Sequence, residues 1–420
     1  MLLLTRGKFS GVLALALTAA IAVALCWWLY RRRPSRQRAA FVALVALIPA
    51  ALCAFLCLPM APTTPPDEQV FASAPTQFWE LSTGKRLAYY HLPAATNAPP
   101  KATILFLHGG PGSSVSAAHV SFFQRFTQEG FEVYLYDQAG TGRSDLLPPA
   151  EYSHERNVSD LAEVVARIDA ASPTPSNIAL VGQSYGGTLA ASAVADDRIA
   201  PHLTKVVFSE PGVIPQKYSE FAQYVDEHIP NSDPQNPRKP VEEIPLALLK
   251  PRLLVGLLML PRDSEFLPQE EALNVLNPRE ILDLNRYSYC TDEPIPPNEA
   301  DAVAGIRVNP YVNAYVNSSP NSDTNPFNME AFQHSKVPGM LLLGECSYVY
   351  RRDQLAFITA YSSMERVQYA ENFGHNVLRT FDDGRDAPFQ SILAFLNDER
   401  APLPNYPSKN DLKEFVEHAK

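Results

Sequence analysis

The chain has 420 residues, 46% of them hydrophobic and 19% charged, a composition that fits a folded globular protein and excludes a disordered one. With 45 acidic against 35 basic residues its formal net charge is −10, so it has no basic face for a phosphate backbone, and nucleic acid is excluded as a partner. Of five cysteines three lie before residue 60, and Cys290 and Cys346 have no metal-ligand spacing, so neither a metal nor an organic cofactor is signalled.

The first sixty residues read as a transmembrane hairpin (1–60). Gly11 to Tyr30 and Ala39 to Met60 are uncharged and each close to the roughly 20 apolar residues that span a bilayer core. No small-residue cleavage site follows Trp27, Trp28 and Tyr30, which argues against a signal peptide. Between the spans, "RRRPSRQR" carries Arg31, Arg32, Arg33, Arg36 and Arg38 against only Arg6 and Lys8 at the amino terminus. Positive charge stays in the cytoplasm, so everything after Met60 is expected on the outer, or periplasmic, face.

A proline-rich tether, 61–75, leads into a change of pattern. "FWELSTGKRLAYYHL" predicts a hairpin about Thr83 and Gly84. Short apolar runs then alternate with helical segments: "ATILFLH", "FEVYLYD", "NIALVG", "KVVFSE", "GMLLLGE" and "RVQYAE", with "VSDLAEVVARIDAA" and "SILAFLND" among the helices. Buried strands alternating with helices imply a mainly parallel sheet covered on both faces, whose site forms at the carboxyl ends of the strands. The alternation stops at Pro211 and resumes near Val337. The expected organisation is therefore core 76–210, a helical cap 211–336, core 337–400 and a tail 401–420.

Three motifs carry chemistry. In "VGQSYGG", Gly182, Ser184 and Gly186 form G-x-S-x-G between a strand and a small-residue helix, the context in which a serine is exposed as a nucleophile. In "LFLHGGPGSS" the glycines let backbone N–H groups approach a developing oxyanion; Gly110 N–H with Tyr185 N–H is the expected pair, and His108 is expected to support the loop. In "ENFGHNV", His375 follows the last apolar run in a glycine-containing loop, the position a general base needs.

"HGGPG", "DQAGTGRS" and "GQSYGG", in this order, resemble the prolyl aminopeptidase (proline iminopeptidase) branch of the α/β-hydrolases over about Thr76 to Asp398. The resemblance implies Ser184 as nucleophile, His375 as base, a structural Asp137 and a helical cap that closes over the substrate. Ala139 stands where the family usually has arginine, and Tyr185 where tryptophan commonly follows the nucleophile.

The acid is not given by the motifs. At the end of "LLLGECSYVY", where an aspartate would be expected, the chain has Cys346 and Ser347. Chain order leaves Glu210, Glu345 and Asp353. Glu345 follows Gly344 too directly, and Asp353 begins the next helix; Glu210 closes the run after the nucleophile's helix, in a Glu-Pro pattern resembling that of some haloalkane dehalogenases. Glu210 is the expected acid, with Glu345 the alternative.

The expected function is a membrane-anchored serine hydrolase that removes an amino-terminal residue from short peptides through an acyl-enzyme. An esterase, with "LLVGLLML" lining an acyl pocket, and a non-catalytic tethered binding protein are the alternatives. In an oxidising compartment a Cys290–Cys346 disulfide would pin cap to core.

Overall fold

The computed structural model describes residues 71–96, 98–172, 175–212, 269–275, 303–318, 327–347, 349, 351–381 and 384–403, with isolated residues between 21 and 51. The expected membrane hairpin, most of the cap and Cys290 lie outside the described residues, as does the side chain of Cys346. Among the described residues no helix is long and apolar enough to cross a membrane. The chain divides into two units. One comprises 1–65 and 245–275, of which the helix Gln269–Val275 and those isolated residues are described; the other, 66–244 and 276–420, contains the sheet.

Among the described residues eight strands form that sheet: β1 (Thr76–Glu80), β2 (Arg86–Leu92), β3 (Thr103–Leu107), β4 (Glu132–Tyr136), β5 (Ile178–Gln183), β6 (Leu203–Ser209), β7 (Gly339–Cys346) and β8 (Met364–Gly374). Their spatial order is β1-β2-β4-β3-β5-β6-β7-β8. β1 pairs antiparallel with β2, as the hairpin pattern predicts, and β2 antiparallel with β4; every other pairing is parallel. This is the α/β-hydrolase arrangement that the motifs imply. Each residue of β3 and β5 is buried, the mark of strands covered on both faces, whereas β1 has exposed and half-buried positions only.

The covering layers follow from alternation along β6. Val207 belongs to the aromatic core in which Phe122 and Phe126 of α1 (Ala117–Gln128) meet Phe389 of the carboxy-terminal helix Ala387–Leu396, with the Phe126 and Phe389 rings 4.6 Å apart. Its neighbour Phe208 points to the other face, where Phe332, Phe357 and Tyr361 surround it. Each such aromatic burial contributes on the order of 2–3 kcal/mol.

Capping chemistry sets two helix starts. The helix expected from Val158 begins at His154, because Ser153 accepts from Arg156 N and caps it; this helix, α2, runs to Ala171. At α1, Ser116 and His119 form a reciprocal capping box. α3 (Tyr185–Ala193) is the helix that follows "GQS".

Candidate active site

The carboxyl ends of β5, β6, β7 and β8 lie side by side, and the register there decides which residues meet. Gln183 is opposite Ser209, so Ser184 and Glu210 leave adjacent strands together. Cys346 is opposite Gly374, so Ser347 and His375 do the same one layer across the sheet.

Ser184 turns from β5 into α3 with φ 55° and ψ −121°, a left-handed conformation that costs about 1–3 kcal/mol and persists only where the surroundings enforce it. They do so through close backbone approach. A side chain on Gly182 would collide with the carbonyl of Gly186, and one on Gly186 with the carbonyl of Leu107 on β3. The Ser184 carbonyl accepts from Gly187 N and Gly212 N at 2.8 and 2.9 Å, closing the turn. Ser184 itself is half-buried at the head of the helix.

Glu210 is fully buried and also left-handed, at φ 46°. Its Oε1 accepts from Gly344 N, and its Oε2 accepts from Gln354 Nε2 at 3.0 Å. The same Oε2 lies 3.4 Å from Nδ1 of His375, a ring that is 3% exposed. Ser347 Oγ is likewise 3.4 Å from that Nδ1 and accepts from Val349 N at 3.2 Å. Gln183, beside Ser184, donates from Nε2 to the His375 carbonyl at 3.2 Å, tying the β5 and β8 ends together.

Glu345, the alternative acid, is half-buried and takes the amide of Asn372 on Oε2 at 2.8 Å. Asp353 sits near the start of the helix Arg351–Ala360. The structure thus brings Glu210 to His375 and uses Glu345 to hold the bend of β8.

The "HGGPG" loop lies across Ser184. Gly109 is the glycine packed on Ser184: a Cβ there would sit 2.9 Å from Ser184 Cβ and 3.4 Å from its Oγ. Gly110, named from the sequence for its N–H, is exposed one residue further on, at a cis Gly110–Pro111 peptide and φ 126°. His108 is buried; Gln138 N donates to its Nε2 at 3.0 Å, so Nδ1 carries the proton and donates to the Gly109 carbonyl at 2.8 Å. Burial holds that imidazole below its ordinary range, as a neutral loop support requires.

Asp137 anchors the same region. Its Oδ1 accepts from Val115 N at 2.8 Å, and its Oδ2 from Arg143 N and Tyr90 Oη at 3.0 and 2.8 Å. Residues 303–318, from the segment between β6 and β7, clasp both loops: Asn309 N donates to Gly112 O at 2.8 Å, Asn313 Nδ2 to Pro111 O at 3.1 Å and Asn309 Nδ2 to Gly140 O at 2.7 Å.

Behind the elbow, the Tyr185 hydroxyl accepts from Asn157 Nδ2 at 2.8 Å and lies 3.0 Å from His154 Nδ1. Burial pushes His154 down to about 4 and His119 to about 3, so both are neutral. Gly109, Gln183, Gln354 and Ser347 escaped the sequence reading; only the G-G pair hinted at the first. Among the described residues no group of three or more His, Cys, Asp or Glu side chains is placed to hold a metal ion.

Residues 98–242, about a third of the chain, match the family described as serine aminopeptidase, S33. The proline iminopeptidase of Flavobacterium johnsoniae is 37% identical over 93 residues, 22% of this chain and 30% of that protein. That of Thermoplasma volcanium is 29% identical over 140 residues, 33% and 44% of the two. The matched stretch thus spans less than half the length of these relatives. Among solved structures, the Mycobacterium smegmatis proline iminopeptidase aligns with 77% of this chain and 98% of its own at 18% identity and a TM-score of 0.48. An esterase from Exiguobacterium antarcticum aligns with 76% and 98% at 14% identity and a TM-score of 0.48.

Proposed function

We propose that this α/β-hydrolase, which resembles the prolyl aminopeptidases through its nucleophile half, is a membrane-anchored serine hydrolase of aminopeptidase type. Ser184 Oγ attacks the scissile carbonyl while His375 Nε2 takes its proton; Glu210 holds the His375 Nδ1–H and stabilises the imidazolium. The tetrahedral oxyanion accepts from the N–H groups of Tyr185 and Gly110. His375 returns the proton to the leaving amine, and water then hydrolyses the acyl-enzyme by the same route in reverse.

The observation that carries this reading is the Glu210 carboxylate on His375 Nδ1, in the row of strand ends that begins with Ser184. It supplies the acid that the turn after β7 lacks, and so weighs against a non-catalytic scaffold. The relatives named proline iminopeptidase support a substrate with a free amino-terminal residue, proline first among them.

An esterase is the second reading, favoured by Ala139: the position where the prolyl aminopeptidases usually carry arginine is here apolar and 2% exposed. The run "LLVGLLML" offered for an acyl pocket lies outside the described residues. The membrane anchor is residues 11–60, with the domain on the outer face; the two uncharged apolar stretches and the five arginines between them support it.

Labelling with a fluorophosphonate and turnover of aminoacyl arylamides beside short acyl esters test the proposal. Labelling at Ser184 with cleavage of proline arylamide is expected. Ester turnover alone selects the second reading, and a folded protein that does not label contradicts both.

A further inference from the structure

Ser347 occupies the turn after β7, beside the histidine that follows β8, and its place there is not incidental. Cys346 pairs with Gly374, so Ser347 and His375 leave neighbouring strands in register, and Ser347 Oγ reaches the same Nδ1 that Glu210 Oε2 reaches, each at 3.4 Å. Glu210 comes from β6 and Ser347 from β7, so the two oxygens approach the imidazole N–H from different strands. Both are fully buried, at 0% exposure, so water does not compete for that proton. Ser347 Oγ also accepts from Val349 N at 3.2 Å, which fixes the hydroxyl oxygen relative to the ring.

We infer that Ser347 is a positioning residue: it shares the His375 Nδ1–H with Glu210, holds the ring in the orientation that presents Nε2 to Ser184, and marks a second station from which a carboxylate can serve the same histidine. The inference rests on the Ser184–His375–Glu210 reading above. Two acceptors on one N–H restrict rotation of the ring more than one does, because a swing away from either loses a hydrogen bond that a buried imidazolium needs. The effect belongs to proton transfer, not to substrate binding.

The full chain, in detergent, is treated with a fluorophosphonate, and the rate constant of Ser184 acylation is separated from the half-saturating probe concentration for wild type, Ser347→Ala, Glu210→Gln and Glu210→Gln/Ser347→Asp. Ser347→Ala is expected to slow acylation about tenfold, the scale of one hydrogen bond to a charged group, with half-saturation unchanged. Glu210→Gln is expected to slow it by roughly 10⁴, as loss of a triad acid does. Adding Ser347→Asp should then recover at least about 100-fold, because the carboxylate returns to the same nitrogen; a residue that only shapes the turn gives no such rescue. An unchanged acylation rate in Ser347→Ala overturns the inference whether or not the double variant folds. So does a folded double variant no faster than Glu210→Gln. If Glu210→Gln by itself labels at the wild-type rate, the triad reading falls, and this inference with it.

Discussion

Glu210 Oε2 and His375 Nδ1 lie 3.4 Å apart although 165 residues separate them in sequence. The contact exists because β6, β7 and β8 are parallel neighbours, so the left-handed turn at Glu210 carries its carboxylate across the end of β7 to the residue that follows β8. Gly344 makes the crossing possible: its N–H donates to Glu210 Oε1, and a side chain there would collide with the carbonyls of Phe373 and Gly374.

The elbow depends on backbone approach more than on the serine. A Cβ at Gly186 would strike the carbonyl of Leu107, which β3 holds in register and cannot yield. Gly186→Ala is therefore expected to destabilise the fold by about 1–3 kcal/mol or more, and to lower labelling of Ser184 through a distorted turn. Chemical denaturation followed by circular dichroism reads the first effect; an unchanged midpoint would mean that the loops separate at little cost.

Asp137 tests the distinction between anchor and acid. Asparagine in its place keeps one acceptor oxygen but not two, leaving at least one of Tyr90 Oη, Val115 N and Arg143 N unpaired in a buried site. Asp137→Asn should cost on the order of 2 kcal/mol of stability. Its effect on kcat in the remaining folded protein should stay far below that of Glu210→Gln. A loss of activity matching that of Glu210→Gln would make Asp137 part of the chemistry.

Buried histidines set the acid side of the stability profile. His154 titrates at about 4 and His119 at about 3 in the fold, against about 6.5 unfolded, because burial penalises the cation. Between those values the unfolded chain binds more protons, so stability is fully present above pH 6.5 and falls as pH drops toward 4 and then 3. Asp160 runs the other way: burial raises it to about 6, so its contribution is present at low pH and is lost as pH rises from about 4 through 6. His108, held down by the same burial, adds to them, so three histidines against one aspartate should leave the midpoint of thermal unfolding falling from pH 6.5 to 4, and His154→Gln should lessen that slope. An equally steep slope in the variant would exclude His154 as a cause.

Orientation has a simple test. With five arginines between the two apolar stretches of sequence, protease added to intact spheroplasts of an expressing host should digest everything after Met60. Survival of the domain until lysis would reverse the orientation.

What could be read in the sequence was local. The elbow at Ser184 shows because glycine spacing and the flanking strand and helix are short-range features, and the parallel sheet shows because strands covered on both faces are apolar throughout. The position of Glu210 at a strand end was readable for the same reason. Its meeting with His375 is fixed by register across β6, β7 and β8, which no single segment carries. Ser347 read as an absent aspartate, since a hydroxyl has no signature beside a histidine distant in sequence. Gly109 and Gly110 are alike in sequence, and only the path of the loop places the first on Ser184. At α2 the apolar pattern started too late because the cap at Ser153 contributes no hydrophobic signal.

Whether Glu210 or Glu345 serves His375 is decided by comparing Glu210→Gln with Glu345→Gln. Glu210 stands on His375 Nδ1, and Glu345 holds the Asn372 amide. With kcat measured on the best substrate of the arylamide and ester panel, and folding checked by thermal unfolding, Glu210→Gln is expected to lose roughly 10⁴-fold. Glu345→Gln should lose much less. The reverse ranking, in folded variants, would move the acid back to the turn after Gly344 and remove Glu210 from the chemistry.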